Sequence, residues 1–428
     1  MKKIASCVLI FFLLTTYCSA TTLDVTSNPL AIADNTFYAI RADGELVAWG
    51  DSFHGATGKV DDIPSYSEAN HLISNAMFAD GSMKLGVAID NKQTLWAWGM
   101  DGQGRLLGNK NEIMIPTRLL DDVVEVRPGL DYCIALKKDG SVWGWGSNAN
   151  GQLGVFTNEP TDKISYITAP IHILDNVKTI ATDHLQGSFA IKEDGSLWAW
   201  GQQNIQDGPV WDSPKEIMKN VQAVSLSSNE NNHVILNVIG NDGNLWRSFF
   251  DIVKESYSKP EMVLEQPVRI ISDFCAITTE NELWVWGPLV SKLTYQTETN
   301  IPVQIMTDTA FAVATVNSLM AICTDGSLFM YNHQNYQYLS DAEGPPYKPL
   351  KIGDGLLIPN LTDVILSDGS VPAVISTEQE SVPIGTNHNA EKDIQMPENL
   401  SISALDYWEI SIIGILMLAF LIYRFFRK

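Results

Sequence analysis

The sequence predicts an all-β protein, a seven-bladed β-propeller, and three observations predict it. A short strand ending in Trp-x-Trp-Gly recurs along most of the chain. An apolar strand and a tight turn, usually Asp-Gly, stand before the copies. The copies are spaced unevenly, by 38 to 55 residues. Four short antiparallel strands at such a period make one propeller blade, which buries its face against the next.

The unit is clearest at Asp139 to Gly154, which reads D-G-S-V-W-G-W-G-S-N-A-N-G-Q-L-G. Asp-Gly favours a tight hairpin, because glycine accepts a positive φ at no steric cost. Trp143 and Trp145 are two apart, so on a strand they share a face. The strand recurs as Leu46–Gly50, Leu95–Gly99, Val142–Gly146, Leu197–Gly201 and Leu283–Gly287, the first of these with one Trp instead of two. Degraded copies at Leu245–Phe249 and Leu328–Asn332 bring the number to seven. An identical pair of indoles in successive units is what packing between blades requires, so these Trp are expected in the core. Trp211 stands outside the motif, beside Pro209 and Pro214, and is a candidate surface aromatic.

The repeat resembles the regulator-of-chromosome-condensation family, whose units carry a W-x-W-G strand followed by N-x-x-G-Q-L-G. Asn148 to Gly154 matches this loop, and Gly104-Arg105-Leu106-Leu107-Gly108 is a looser copy. Asp51 to Gly58 keeps only Gly55 and Gly58, and the later units lose the loop motif. The resemblance covers residues 21–380 and implies a seven-bladed wheel, here in a bacterial secreted or membrane-anchored form. Leu361–Leu366 and Ala373–Ser376 read as the start of an eighth unit. They are expected to complete the blade begun by Phe37–Gly50, which would hide sheet edges.

Both ends concern a membrane. Residues 1–20 have Lys2 and Lys3, an apolar middle and Cys18-Ser19-Ala20, the pattern of a secretory signal peptide. Residues 381–406 are polar and carry Pro383 and Pro397, which reads as a flexible linker. Residues 407–426 are expected to form a transmembrane helix. The stretch from Trp408 to Phe426 would span about 28 Å at ~1.5 Å per residue, against a hydrocarbon core of about 30 Å. Arg424, Arg427 and Lys428 place the end of the chain, with residues 427–428 as its tail, in the cytoplasm. The expected topology is single-pass type I, with the propeller on the extracytoplasmic side. A cleaved sorting signal is the alternative for this end.

The chain carries 28 basic and 50 acidic residues, a net charge of -22. Such a surface repels phosphates, so nucleic acid is not expected as a partner. The seven His are scattered, without H-E-x-x-H spacing, and no G-x-S-x-G elbow or Walker loop occurs. Asp61-Asp62 and Asp121-Asp122 read as solvated loop charge. Cys133, Cys275 and Cys323 lie outside the leader. Aligned repeats put Cys133 and Cys275 at one strand position, as buried free thiols. No catalytic residue, cofactor or metal ligand is assigned.

The expected function is therefore that of a non-enzymatic, extracytoplasmic propeller that binds a protein partner. The family's nuclear members act on a small GTPase and chromatin, roles that the leader and the acidic surface oppose. A carbohydrate or cell-wall binder using Trp211, Tyr257, Tyr331 and Tyr336 is the second reading. A propeller-scaffold enzyme is the third.

Overall fold

The computed structural model describes residues 27–51, 55–58, 65–82, 85–100, 112–155, 166–203, 209–228, 234–251, 253–294, 300–332, 349–358 and 370–375. Seven antiparallel sheets follow one another along the described chain, each built from consecutive strands except for one late strand added to the fourth. They form the seven blades of a closed propeller, numbered here in chain order. The inner strands are Leu30–Ala33, Ala76–Ser82, Val123–Pro128, Val177–Thr182, Val221–Ser228, Val268–Ser272 and Thr309–Ala314. Each touches the inner strand of its neighbours, and that of blade 7 touches that of blade 1. Residues 1–20 and 407–426, expected to be a signal peptide and a transmembrane helix, lie outside the described residues. Among the described residues no helix is long and apolar enough to cross a membrane.

Burial explains the composition of the strands. The second strand of a blade has a neighbouring blade on both faces, so alternation disappears. Thr36–Ile40 and Val234–Gly240 are buried at every position, and such doubly covered strands read as near-continuous apolar runs. Outer strands such as Tyr166–Leu174 keep a solvent face and stay mixed.

The Asp-Gly turns build the joints of the wheel. Gly44, Gly140, Gly195, Gly243 and Gly326 all hold φ between 78° and 82°, a region that favours glycine. The preceding aspartate closes the turn: Asp139 Oδ1 accepts the Ser141 N–H at 3.0 Å and its hydroxyl at 2.6 Å. The carbonyl of the turn residue then accepts the first N–H of the next blade. Gly44 takes it from Ala76 at 2.8 Å, Gly140 from Val177 at 3.0 Å and Gly195 from Val221 at 3.0 Å. Gly243 takes it from Val268 at 2.8 Å, while Gln93 and Asn281 do the same for Val123 and Thr309 at 2.9 Å. Gln93 and Asn281 reach the turn conformation with φ of 64° and 63°.

The seventh joint shows how the wheel closes. Gly326 O accepts the N–H of Leu356, beyond the last blade, at 3.2 Å. Leu357 N–H then donates to Ile40 O, and Ala42 N–H to Gly355 O, both at 2.9 Å. Blade 1 therefore has an inner strand in two pieces, Leu30–Ala33 from the start of the wheel and Gly355–Leu357 from its end. The expected clasp exists, but with other residues. Ala373–Val374 pairs instead with the outer strand of blade 4, and Leu361–Leu366 lies outside the described residues. Between the two pieces of the inner strand, Pro29 O accepts the Ile40 N–H at 2.9 Å.

The indoles divide into two roles. The second Trp of the motif is buried in blades 1, 2, 3, 4 and 6 (Trp49, Trp98, Trp145, Trp200 and Trp286). Trp200 Nε1 donates to Gln152 O at 2.8 Å, and Trp98 Nε1 to Ala56 O at 2.7 Å. The loop after the Trp strand of one blade thus receives the indole of the next, which is why Asn148–Gly154 has its small, turn-rich sequence. The first Trp is only half-buried, and its N–H returns to its own turn. Trp143 and Trp198 donate to Ser141 and Ser196 hydroxyls at 2.9 Å. Packing between blades thus requires one indole per motif, not the expected pair.

Cys133, Cys275 and Cys323 are free thiols, the first two buried. Desolvation by burial pushes the pKa of both buried thiols well up. Strand register corrects the repeat alignment. Cys133 pairs with Trp145, whereas Cys275 pairs with Val285. The two thiols sit one step apart in the motif and point to opposite faces of their blades.

Connections differ between the two faces of the wheel. On the turn face, one to three residues join each outer strand to the next inner strand. On the opposite, loop face, 4 to 18 residues join the Trp strand to the outer strand. The longest step of the repeat, 55 residues, holds the 18-residue connection, and the shortest, 38, holds the 4-residue one.

Trp200→Ala should cost about 3–5 kcal/mol, the usual range for a large aromatic removed from a core, and Trp198→Ala clearly less, read from denaturant midpoints. Leu356→Asp should speed hydrogen exchange at the Ala42 and Leu357 amides before it affects blade 4. Equal costs for the two Trp, or unchanged exchange at blade 1, would contradict these assignments.

Candidate functional site

The inner strands line a central channel that holds a cavity of about 290 Å³. Alternate side chains of an inner strand point into it. Phe311, Ile270 and Ile32 make one arc of the wall apolar, while Asp80, Glu125 and Arg127 make the opposite arc charged.

The charged arc is a network across three blades. Arg127 of blade 3 reaches Asp80 of blade 2 at 3.0 Å and Glu125 of its own strand at 2.8 Å. The other oxygen of Glu125 accepts the Thr179 hydroxyl at 2.9 Å and the Ile180 N–H at 3.1 Å, both from blade 4. Arg127 also lies over the Phe78 ring, 5.3 Å from its centroid. Burial works against the guanidinium charge, but Glu125 and Asp80 outweigh it and push the Arg127 pKa up. A buried ion network of this kind adds little net stability, yet losing one partner strands a charge.

At the loop face the channel ends in a second cluster. Asp183 follows the inner strand of blade 4, and its Oδ1 accepts the N–H groups of Leu185 and Gln186 at 2.8 Å and of Gly187 at 2.9 Å. Burial still dominates and raises its carboxyl to about 6. His184, at φ 60°, reaches Asp273 of blade 6, Nε2 to Oδ2 at 3.4 Å. Asp273 Oδ1 accepts the Ser225 hydroxyl of blade 5 at 3.0 Å. Blades 4, 5 and 6 are thus tied together at the mouth. Burial disfavours the charge on His184, but its bond to Asp273 prevails, and the pKa is pushed up to about 9. The His184 side chain keeps 42% of its surface open, so water screens the pair.

The same face carries exposed apolar side chains on consecutive blades. Val210 begins the outer strand of blade 4, Phe249 and Val253 stand at the loop end of blade 5, Ile301 precedes the outer strand of blade 6, and Val316 lies in the first turn of blade 7. Val253 is 93% exposed.

The aromatic residues of the carbohydrate reading are not on this surface. Trp211, Tyr257 and Tyr331 are all buried. Trp211 and Tyr257 both pack edge-on against Phe250, and the Tyr257 hydroxyl donates to Gln203 Oε1 at 2.9 Å. Proline neighbours suggested a loop for Trp211, yet it belongs to the ten-residue outer strand Val210–Lys219. Tyr336 and Asp61-Asp62 lie outside the described residues. Asp121 pairs with Arg118, and Asp122 with Lys138, so this doublet is solvated loop charge. Among the described residues no group of His, Cys, Asp or Glu is arranged to hold a metal ion.

Sequence reasoning missed the channel residues. Their signal was available: Glu125 and Arg127 alternate within the otherwise apolar Val123–Pro128, and a charge at an inward position of an inner strand points into the channel. His184 was visible only as one of seven scattered histidines.

The His184–Asp273 pair sets a pH dependence. The folded pKa of His184 lies above its ordinary 6.5, so its stabilising effect is complete below about 6.5 and lost as pH rises through about 9. Asp183, with its midpoint at about 6, is already mostly ionised when that window opens at pH 7. The urea midpoint should fall between pH 7 and 9.5, and fall less in His184→Gln. Equal falls in both proteins would remove the pair from the account.

Residues 126–152 match the Regulator of chromosome condensation (RCC1) repeat. The chain is 28% identical over 200 residues to the Guanine nucleotide exchange factor SRM1 of Saccharomyces cerevisiae, covering 41% of this chain and 39% of that protein. It is 29% identical over 184 residues to the E3 ubiquitin-protein ligase HERC2 of Homo sapiens, covering 39% of this chain and 4% of that protein. Over 257 residues it is 26% identical to the RCC1-like G exchanging factor-like protein of Mus musculus, covering 56% and 49%. The chain thus spans less than half the length of each of these relatives. In fold it is similar to human WBSCR16, whose crystal structure aligns with a TM-score of 0.59 at 16% identity, over 72% of this chain and 94% of that one. The chain is therefore similar to the regulator-of-chromosome-condensation repeat proteins in sequence, and its seven sheets form a propeller.

Proposed function

We propose that this chain is a non-enzymatic propeller that binds a protein partner through its loop face, outside the cytoplasm, with the C-terminal segment as its membrane tether. The observation that carries the reading is the loop face itself. Exposed apolar side chains on blades 4 to 7 flank a mouth lined by charged groups, the composition of a protein contact surface. The carboxylates of the mouth support a non-enzymatic role, since each is engaged by Arg127, by backbone N–H groups or by His184 and Ser225. The relative named as a guanine nucleotide exchange factor acts, by that name, on a nucleotide-binding partner, which supports protein recognition as the general mode. The acidic total disfavours nucleic acid as partner. A glycan partner loses its three described aromatics to the core. The leader and the basic tail support the extracytoplasmic placement.

Crosslinking on intact cells should recover a protein neighbour, and external protease should cut the propeller while sparing the residues after Arg424. Phe249→Glu with Val253→Glu should weaken that partner at least tenfold with the thermal midpoint unchanged. Ile352→Glu, on the turn face, should leave it intact. Recovery of glycans alone, or loss of the partner only with Ile352→Glu, would overturn the reading.

A further inference from the structure

Among the described outer strands, that of blade 4 carries a guest on its free edge. Residues Ser370–Ile375 lie along the end of Val210–Lys219, with Val374 opposite Met218 and Ala373 opposite Lys219. Ile375 N–H donates to Ile217 O at 3.0 Å. Two side-chain amides grip the guest further upstream. Asn220 Nδ2 donates to Val371 O at 3.0 Å, and Asn241 Nδ2 to the Ser370 hydroxyl at 3.3 Å. Pro372 between them is buried.

The niche for Pro372 is built by an omission. At the position before the turn, blades 3 and 4 carry Lys137 and Lys192, whose ammonium groups lie over Trp143 and Trp198 at 5.5 and 4.2 Å. Blade 5 has Gly240 there, and its φ is not in the left-handed region, so the backbone does not demand glycine. A Cβ at Gly240 would stand 2.6 Å from Pro372 Cδ and 3.0 Å from its Cγ, besides 2.5 Å from Asp242 Oδ1. Trp246, left without a lysine cover, packs with Val374 against one core cluster.

Closure of the wheel does not use this guest. The wheel is already closed at Gly355–Leu357, and the contacts of residues 370–375 read side chains and carbonyls in the manner of strand addition to a sheet edge. We infer that the turn-face edge of blades 4 and 5 is a binding groove for an extended segment of a partner protein, of the pattern hydroxyl residue, Val, Pro, small residue, Val. The chain's own Ser370–Ile375 occupies it in cis, as a tethered competitor whose effective concentration is of millimolar order. This groove is on the opposite face from the surface proposed above, so either reading can fail alone.

The test uses the full chain and a labelled hexapeptide, Ser-Val-Pro-Ala-Val-Ile, followed by fluorescence anisotropy. Pro372→Glu with Val374→Glu should release the guest and let the hexapeptide bind at least tenfold more tightly than to the unaltered chain. Adding Gly240→Val should abolish that binding, and a peptide with Ala for Pro should bind at least tenfold more weakly. In the unaltered chain, hydrogen exchange at the Ile375 amide should be slowed, and Asn220→Ala should speed it. Absence of peptide binding in a released variant with an unchanged thermal midpoint would overturn the inference. So would self-association of the unaltered chain that Gly240→Val removes, because the groove would then hold a second copy's segment.

Discussion

One hydrogen bond, repeated at each joint, holds the wheel to its shape: the turn carbonyl of a blade accepts the first N–H of the next inner strand. A single backbone bond contributes only about 0.5–1.5 kcal/mol. Its weight here is geometric. It fixes the distance between a blade's central hairpin and its neighbour, and that distance sets how deep a cleft the side chains must fill. Glycine at a positive φ presents the carbonyl at most joints, and Gln93 and Asn281 show that the conformation, not the residue, is what the joint requires. Leu356 extends the series beyond the last blade, so the final joint uses the same chemistry as the other six.

The clefts between blades are filled from the loop face by indoles. Where the preceding loop offers a carbonyl, as Gln152 and Ala56 do, the indole N–H is satisfied. The joint between blades 5 and 6 departs from this. The strands of blade 5 are joined there by a short connection between Asp251 and Ser256, and Trp286 Nε1 has no partner. Arg247 fills the space instead, 5.4 Å from the Trp286 ring, bonded to Asn237 Oδ1 and Asn300 O at 3.0 Å. Burial lowers its pKa to about 10. At this joint a buried cation thus stands where the others have a neutral backbone acceptor, and two donors, Trp286 Nε1 and Arg247 Nη2, are left unsatisfied.

This contrast shows why the sequence was legible in some places and silent in others. Trp98, Trp145 and Trp200 obey a local rule, since a strand between two blades must bury whatever it carries, and their spacing is readable without the fold. The Asp-Gly turns are local for the same reason. The closing clasp is not local: Gly355-Leu356-Leu357 resembles no strand of the motif, and only the unfilled place in blade 1 gives it meaning. The ion network is equally distributed, with Asp80, Arg127 and Thr179 each contributed by a different blade. Trp211 misled because nearby prolines mark loops in general, while an outer edge strand tolerates them.

The two faces of the wheel then differ by necessity. A joint bond at every turn leaves one to three residues for each connection on that face, so an insertion there would pull a carbonyl off its N–H. Among the described residues, the long connections of the loop face carry no joint bond between strands, only single carbonyls that meet side chains of a neighbouring blade, and they vary from 4 to 18 residues. Variation in length, exposed apolar side chains and the charged mouth accordingly gather where the scaffold does not constrain them. A surface that can change without loosening a joint is the one free to be shaped by a partner.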